Sequence, residues 1–177
     1  MIRFRQFLKE NSSLPFNSFI EKTISTNTID AQSANEFLEV STTYKGTIYK
    51  VIFLPAAEVL KYYDVEKGLS DPKGLADVVV KKFNPNRYVF FCKSLSGVDA
   101  QIKYPGLFKI SEDQIGVVFS KKATTAIDLT LYDGKDPAVA KRVEATQEVL
   151  DFEDITITRI DAIYLFNQES GWKLRPL

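Results

Sequence analysis

Runs of β-branched and aromatic residues recur along most of this chain, and they constrain its fold more than any other feature. They predict strands near residues 47–54, 87–93, 115–120, 126–132 and 155–166. Helical segments lie between them, near residues 56–63, 73–83 and 137–150. Asp71-Pro72 and Asp136-Pro137 each supply an N-cap followed by a proline in the first helical turn, which is a strong start signal. The sequence therefore predicts an α+β fold, with a mixed or mainly antiparallel sheet of about five strands covered by about three helices.

Two connections in this pattern bear on the topology and on candidate chemistry. The polar segment 120–125 predicts a loop that joins the third and fourth runs into a hairpin. Residues 98–103 predict a further extended segment, which would place Asp99, Gln101 and Lys103 on one face. That spacing is similar to the acid, acid or amide, and lysine pattern of metal-dependent nucleases, but the second acidic ligand is missing. A solvated strand face explains the same three residues.

The first 43 residues differ from the rest, and the sequence divides into an N-terminal helical arm, 1–43, and a single α+β domain, 44–177. Residues 11–43 are rich in Ser, Thr and Asn, with apolar residues in small groups between them. Asn17 and Asp30 are candidate N-caps for two short helices. These helices either wrap a neighbouring subunit or cover one face of their own domain, and the second interpretation is favoured.

Composition excludes several kinds of chemistry. The chain has one cysteine and no histidine, so neither an intramolecular disulfide nor the common zinc and iron ligand sets can form. The missing histidine also removes the usual general base, which disfavours an enzyme. Twenty-three basic residues balance twenty-three acidic ones, and no apolar run is long enough to span a bilayer. We therefore expect no cofactor, no nucleic-acid partner and no membrane association, and the oligomeric state stays open.

Three further groups are candidates for chemistry, and each has a simpler explanation. Cys92 lies in an apolar run, where a lone cysteine is usually a buried hydrophobic residue. Glu144 and Glu148 fall on the polar face of the predicted helix 137–150 and are interpreted as surface charges. Clustered carboxylates can bind Mg²⁺ or Ca²⁺, but the spacing of this acidic cluster matches no known metal loop, so a solvated connection is favoured. The cluster consists of Asp151, Glu153 and Asp154.

The first ten residues carry the clearest functional signal. Phe4, Phe7 and Leu8 stand at positions i, i+3 and i+4, with basic and polar residues between them, which is the pattern of a short amphipathic helix. A helix of this length is unstable alone and must dock on its own domain, on a partner protein or on a membrane. We therefore assign Phe4, Phe7 and Leu8 as the candidate partner-binding residues.

This decapeptide resembles the capsid-targeting peptide of internal head proteins in T-even-type tailed bacteriophages. The similarity rests on an aromatic residue at position 4 and on Gln6, Phe7, Leu8 and Glu10, whereas Arg3 and Arg5 make this segment more basic than is usual in that family. In the family, the prohead protease cleaves after a triplet of Leu or Ile, any residue, and Glu. The resemblance therefore implies a possible processing site formed by Leu8 and Glu10. A second such triplet, at residues 110–112, lies deep in the chain.

Together these features favour a non-enzymatic bacteriophage protein that acts by protein-protein binding. It would be a structural or packaged protein of the virion head, located in the virion or in the host cytoplasm. One alternative is a phage effector that binds and inhibits a host defence or transcription protein. A second alternative is a metal-dependent carboxylate enzyme such as a nuclease, using Asp99 with Lys103, or Asp151, Glu153 and Asp154.

Overall fold

The computed structural model of the chain describes residues 15–38, 43–82, 87–152, 157, 159–167 and 169–177. Its helices are α1 across residues 15–26, α2 Ala31–Leu38, α3 Ala56–Val59, α4 Pro72–Val80, α5 Leu95–Lys103 and α6 Pro137–Thr146. Its strands are β1 Thr43–Pro55, β2 Tyr63–Asp64, β3 Gly68–Leu69, β4 Tyr88–Cys92, β5 Gln114–Asp128, β6 Glu148–Phe152, β7 Arg159–Asn167 and β8 Gly171–Pro176. A short 3₁₀ turn, Leu129–Leu131, follows β5.

Every strand pairing in the described residues is antiparallel. Six strands form one sheet in the order β1-β4-β6-β5-β7-β8. Strand β1 also pairs with β5, so β1, β4, β6 and β5 close into a four-stranded ring, and β7 and β8 extend from it. The two short strands β2 and β3 form a separate ribbon. The predicted α+β class with a mainly antiparallel sheet is confirmed, and the described residues contain more strands and helices than predicted.

The predicted hairpin between residues 115 and 132 is wrong, because β5 runs without a break through the polar segment. Its residues from 114 to 127 pair with β1 from Pro55 back to Thr43, with one bulge. The polar residues still alternate as in a half-exposed strand: Lys122 is exposed, whereas Ala123 is buried. A polar run adjacent to a strand can therefore continue that strand when a partner satisfies its backbone.

The predicted extended segment at residues 98–103 is also wrong, because these residues belong to helix α5. The Ser94 hydroxyl accepts a hydrogen bond from the Gly97 amide at 3.1 Å and caps the helix. Val98 and Ile102, four positions apart, are buried against the sheet. Gly97 lets α5 approach α6 closely, since a Cβ there would lie 2.4 Å from the Thr146 carbonyl oxygen.

Helix α6 is shorter than the predicted helix at residues 137–150. Asp136 caps it as predicted, accepting hydrogen bonds from the amides of Ala138 and Val139 at 2.9 and 3.2 Å. It ends at Thr146, because Gln147 adopts a left-handed conformation with φ of 51°. Strand β6 then begins at Glu148, in residues that the prediction had placed in the last helical turn.

Within the described residues, three apolar clusters form the core, and each one is covered by different helices. The first lies between the sheet and α3 and α4, where Leu75 and Val79 are fully buried. The second lies between the sheet and α1, α2 and α6 and contains Phe19 and Ile20. The third lies under α5 and includes Trp172 at its edge. Helices α1 and α2 therefore share a core with the sheet.

The two predicted N-caps of the arm have different outcomes. Asp30 caps α2 as predicted: its carboxylate accepts hydrogen bonds from the Gln32 amide at 3.1 Å and from the Ser33 hydroxyl at 2.8 Å. That hydroxyl is the main reason why the pKa of Asp30 is lowered. Asn17 is not an N-cap, because it lies inside α1, and its side-chain amide donates to Asp133 at 2.6 Å.

Candidate functional site

An open groove of about 680 Å³ lies where α4 faces the ends of β7 and β8. Its volume is in the range of sites that take small ligands or side chains of a partner. Helix α4 contributes Lys73 and Ala76, which are three positions apart, and buries Leu75 and Val79 in the core. Apolar residues make up most of the remaining lining: Leu69, Pro72, Ile157, Ile160, Pro176 and Leu177.

The groove is bordered by positive charge. Both charged side chains that line it in the described residues, Lys73 and Arg159, are cations. Two more cations, Lys173 and Arg175, are exposed on β8. They pair across the sheet with Leu165 and Ile163, which pack in the first core cluster, so they share the sheet face that α4 covers. The groove therefore combines an apolar floor with a basic border.

Exposed apolar side chains occur in the groove, at Leu177, and on the adjoining β2–β3 ribbon, at Val65. Leu177 is 48% exposed and Val65 is 49% exposed, and both are among the few large hydrophobic residues exposed to this degree in the described part of the chain. Arg175 joins β8 to the β2–β3 ribbon, since its Nη1 donates to the Val65 carbonyl oxygen at 3.4 Å.

Arg159 connects the groove to a buried carboxylate. Its Nε donates to Oδ1 of Asp161 at 2.5 Å, and this contact raises the pKa of the exposed Arg159 guanidinium. Asp161 lies at a bulge, where β7 slips by one residue against β5. Its Oδ2 is buried and accepts no hydrogen bond from the described residues. Arg159 therefore has a structural role beside Asp161 as well as a position on the groove.

A second polar group lies in the interior, around Arg142 and Glu148. Arg142 Nε and Nη2 donate to the two carboxylate oxygens of Glu148 at 3.0 and 3.1 Å. Gln101 Nε2 donates to the same carboxylate at 2.7 Å, and Arg142 Nη1 reaches the Ile24 carbonyl oxygen at 3.3 Å. The prediction of Glu148 as a surface charge is wrong, because its side chain is fully buried; Glu144 is exposed as predicted. This ion pair joins α1, α5, α6 and β6.

A small cavity of about 150 Å³ opens beside this ion pair, lined by Lys50, Gln101 and Arg142 among others. Both charged groups are held by hydrogen bonds: Arg142 donates to Glu148 and to the Ile24 carbonyl oxygen, and Glu148 also accepts from Gln101. The thiol of Cys92 is fully buried nearby. Burial, and then the negative charge of Glu148, raises the pKa of this thiol far above its ordinary range. Cys92 is therefore protonated at neutral pH and is not a nucleophile.

The structure does not assemble the nuclease-like residues into a metal site. Because α5 is a helix, Asp99 and Lys103 form an ion pair of 2.6 Å one turn apart, while Gln101 points into the interior toward Glu148. Asp99 also accepts a hydrogen bond from the Tyr164 hydroxyl. Residues 98–103 are helical, so Asp99, Gln101 and Lys103 do not share one strand face, and the prediction that depended on such a strand is wrong.

The acidic cluster at 151–154 is only partly described. Asp151 forms an ion pair of 3.0 Å with the buried Lys121, and Glu153 and Asp154 lie outside the described residues. Across the described part of the chain, no three His, Cys, Asp or Glu side chains are grouped so that they could hold a metal ion.

The decapeptide lies outside the described residues, and so do the candidate partner-binding residues Phe4, Phe7 and Leu8 and the candidate processing residues Leu8 and Glu10. The sequence does not predict the groove. Lys73 and Ala76 do give a signal, since they flank the apolar stripe of α4, but nothing in the sequence places β7 and β8 opposite them. Among the described helices, none is both long and apolar enough to cross a membrane.

Comparison with known proteins gives no family for this chain. No protein-family model matches it, and neither the curated proteins nor the solved structures include a significant match.

Proposed function

We propose that this chain is a non-enzymatic bacteriophage protein, associated with the virion head as a structural or packaged protein, which acts by binding another protein. The observation that carries the binding role is the apolar groove with its basic border between α4 and β8. The head location is supported by the resemblance of residues 1–10 to a capsid-targeting peptide.

The chemistry of the described residues favours binding over catalysis. Glu148 is held by Arg142, Asp128 by Lys93 at 2.7 Å, and Asp151 by Lys121 at 3.0 Å. Each of these carboxylates already forms an ion pair with an Arg or Lys side chain of the same chain. The groove, in contrast, exposes apolar and cationic groups to solvent.

The head location is tested by mass spectrometry of purified virions, with Phe7→Asp as the diagnostic variant. We expect the wild-type protein in mature heads, and we expect Phe7→Asp to fold normally and to be lost from them. Ser12→Asp introduces the same charge just outside the decapeptide and should leave incorporation unchanged. If the wild-type protein leaves no trace in purified virions, the proposal is wrong. If Phe7→Asp unfolds the chain, Phe7 belongs to the core rather than to a targeting signal.

The alternative of a host-directed effector is supported by the same groove, since a basic border would also accept an acidic host protein. Affinity capture with the wild-type chain, from host lysate and from purified proheads in parallel, separates the two. A host defence or transcription protein that is retained by the wild-type chain but not by the groove variant Lys73→Glu would favour the effector.

A metal-dependent enzyme has less support, because the Asp99 carboxylate already forms an ion pair with Lys103 and accepts a hydrogen bond from Tyr164. The melting temperature in the presence of Mg²⁺, Mn²⁺ and Ca²⁺ tests this alternative. A metal that binds only the native state would raise it.

A further inference from the structure

We infer that the groove between α4 and β8 binds an acidic, partly apolar peptide segment of a partner protein. This inference rests on the proposed binding function and names the site and the chemistry of what it binds. Three observations carry it: the floor, the charge of the border, and the charge of the chain's own N-terminal segment.

The floor of the groove requires apolar side chains from its occupant. Ile157 and Leu69 are only partly buried, and Leu177 is about half exposed. Covering such side chains removes apolar area from water, which favours association by about 25 cal/mol per Å² buried, before the costs of binding are subtracted. The groove is open to solvent rather than enclosed, so it can accept a chain segment as well as a single small molecule.

The border selects the charge of that segment. Lys73 and Arg159 line the groove, and Lys173 and Arg175 lie on the same face of the sheet. Arg159 is ion-paired with the buried Asp161, but its side chain is 70% exposed and can still donate a hydrogen bond to a second carboxylate. Asp and Glu side chains on either side of the apolar contacts would therefore find a cation within reach, whereas Lys or Arg would be repelled.

The chain's own decapeptide has the wrong charge for this groove. It carries Arg3, Arg5 and Lys9 against a single acid, Glu10, and this gives a net side-chain charge of +2 (three minus one). The cations Lys73 and Arg159 would repel such a segment. A partner segment of opposite charge is therefore the better occupant.

Lys73→Glu tests the inference without threatening the fold. Lys73 is exposed in the first turn of α4, where a carboxylate is favoured by the helix dipole, so the variant should be at least as stable as the wild type. Lys141→Glu, on the exposed face of α6, makes the same change in charge away from the groove and serves as the control.

The probe is a short fluorescein-labelled peptide in which Leu and Phe alternate with Asp and Glu, compared with a version in which Lys replaces each acid. Binding to the full-length chain is measured by fluorescence anisotropy. We expect the acidic peptide to bind the wild type and Lys141→Glu equally, and Lys73→Glu at least about tenfold more weakly. The basic peptide should bind the wild type more weakly than the acidic one, and added salt should reduce this difference.

Equal affinity of the acidic peptide for Lys73→Glu and for the wild type, or no binding to either, would overturn the inference. Sedimentation analysis of the same variants identifies another occupant: a dimer that Lys73→Glu dissociates would make a second copy of the chain the occupant and would also overturn it. Virion mass spectrometry is independent of these measurements. If the chain is absent from virions but still binds the peptide, the head location is wrong and the inference about the groove stands.

Discussion

Glu148 shows how a charged residue can be buried in this chain without an unsatisfied atom. One of its oxygens accepts from Gln101 and Arg142, and the other accepts from Arg142 Nε. The guanidinium of Arg142 lies 5.2 Å from the Phe90 ring centroid and 5.9 Å from that of Tyr104. Aromatic rings and a carboxylate together replace the water that a surface arginine would have.

Removing one partner of this pair should strongly destabilise the fold. We expect Glu148→Gln to lower the free energy of unfolding by about 3–5 kcal/mol, because it leaves the buried Arg142 charge uncompensated. Urea denaturation measures this, with Glu144→Gln on the exposed side of α6 as a control that should change stability by no more than about 0.5 kcal/mol. The double variant Arg142→Met/Glu148→Met should be less destabilised than the sum of the corresponding single variants. If the destabilisation of the double variant equals the sum of those of the two single variants, the two side chains do not interact in solution.

Cys92 gives a prediction for alkaline pH. Its pKa is raised in the folded chain, so above the ordinary thiol pKa of 9.0 the unfolded state loses a proton that the folded state keeps. The stabilising effect of the buried, protonated thiol is complete below that pH and is lost as pH rises above it, by up to about 1.4 kcal/mol per pH unit. Urea denaturation between pH 8 and pH 10 should therefore show a steeper loss of stability for the wild type than for Cys92→Ala. Parallel pH profiles for the two proteins would contradict the burial of this thiol.

At the residue scale, the sequence shows which residues are polar but does not predict which of them are buried. The sequence predicts a surface position for Glu148, because helical spacing continued past residue 146 places it beside Glu144. One left-handed residue, Gln147, breaks that spacing and turns Glu148 inward. Glutamine has no special preference for this conformation, so no local signal marked the change.

At the scale of elements, the left-handed residue that ends α6 gives a prediction about stability. We expect Gln147→Gly to change stability by no more than about 1 kcal/mol, because glycine adopts a positive φ without steric cost but loses more backbone entropy on folding. The variant also loses the exposed hydrogen bond of 3.0 Å from the Ser94 hydroxyl to the Gln147 side chain. Gln147→Val should lower stability by at least about 1 kcal/mol, since β-branched residues are strained in this conformation. Thermal denaturation of both variants is the test. Equal stability of Gln147→Val and the wild type would show that residue 147 is not left-handed in solution.

Element starts were predicted better than element partners. The Asp-Pro pairs located α4 and α6 because a cap acts on the amides of its own first turn: Asp71 accepts from the Gly74 amide at 2.9 Å. Strand β5 was divided in two because its polar half looks like a loop until β1 lies beside it. Helix α5 was predicted as extended although Ser94, Val98 and Ile102 carry a cap and a helical spacing. Signals within one turn therefore located α4 and α6 but were overlooked at α5, whereas the continuation of β5 depends on the distant strand β1 and has no local signal.

At the scale of the whole molecule, α1 and α2 pack against the sheet in one apolar cluster, so we expect them to unfold together with it. Phe19 contacts the Phe37 ring at 4.9 Å between centroids, and Tyr132 donates to Glu21 at 2.6 Å. Burial, followed by the hydrogen bond to Glu21, raises the pKa of Tyr132. Tyr88, buried in the same cluster, donates to Asn35 of α2 at 2.7 Å.

Phe19→Ala should therefore destabilise parts of the chain far from α1. We expect a loss of about 3–5 kcal/mol in the free energy of unfolding from the cavity that this change creates. Trp172, the only tryptophan, lies on β8 in a different core cluster, and its fluorescence should report the same lowered urea midpoint as far-UV circular dichroism. The exposed Lys22→Ala on the same helix is the control. An unchanged Trp172 midpoint in Phe19→Ala would show that α1 unfolds independently.

The pairing of β5 with β1 has a consequence for how quickly the molecule can assemble. At one end of this ladder Pro55 pairs with Gln114, and at the other end Thr43 pairs with Ile127, so its partners are 59 to 84 residues apart (114 − 55 and 127 − 43). Much of the sheet depends on contacts between segments that must first find each other across a long loop of chain. Proteins dominated by such non-local contacts fold in milliseconds to seconds rather than microseconds. During that interval the edges of β5 are open to other chains, so the rate of synthesis and the local concentration of the protein affect how much of it reaches the native state.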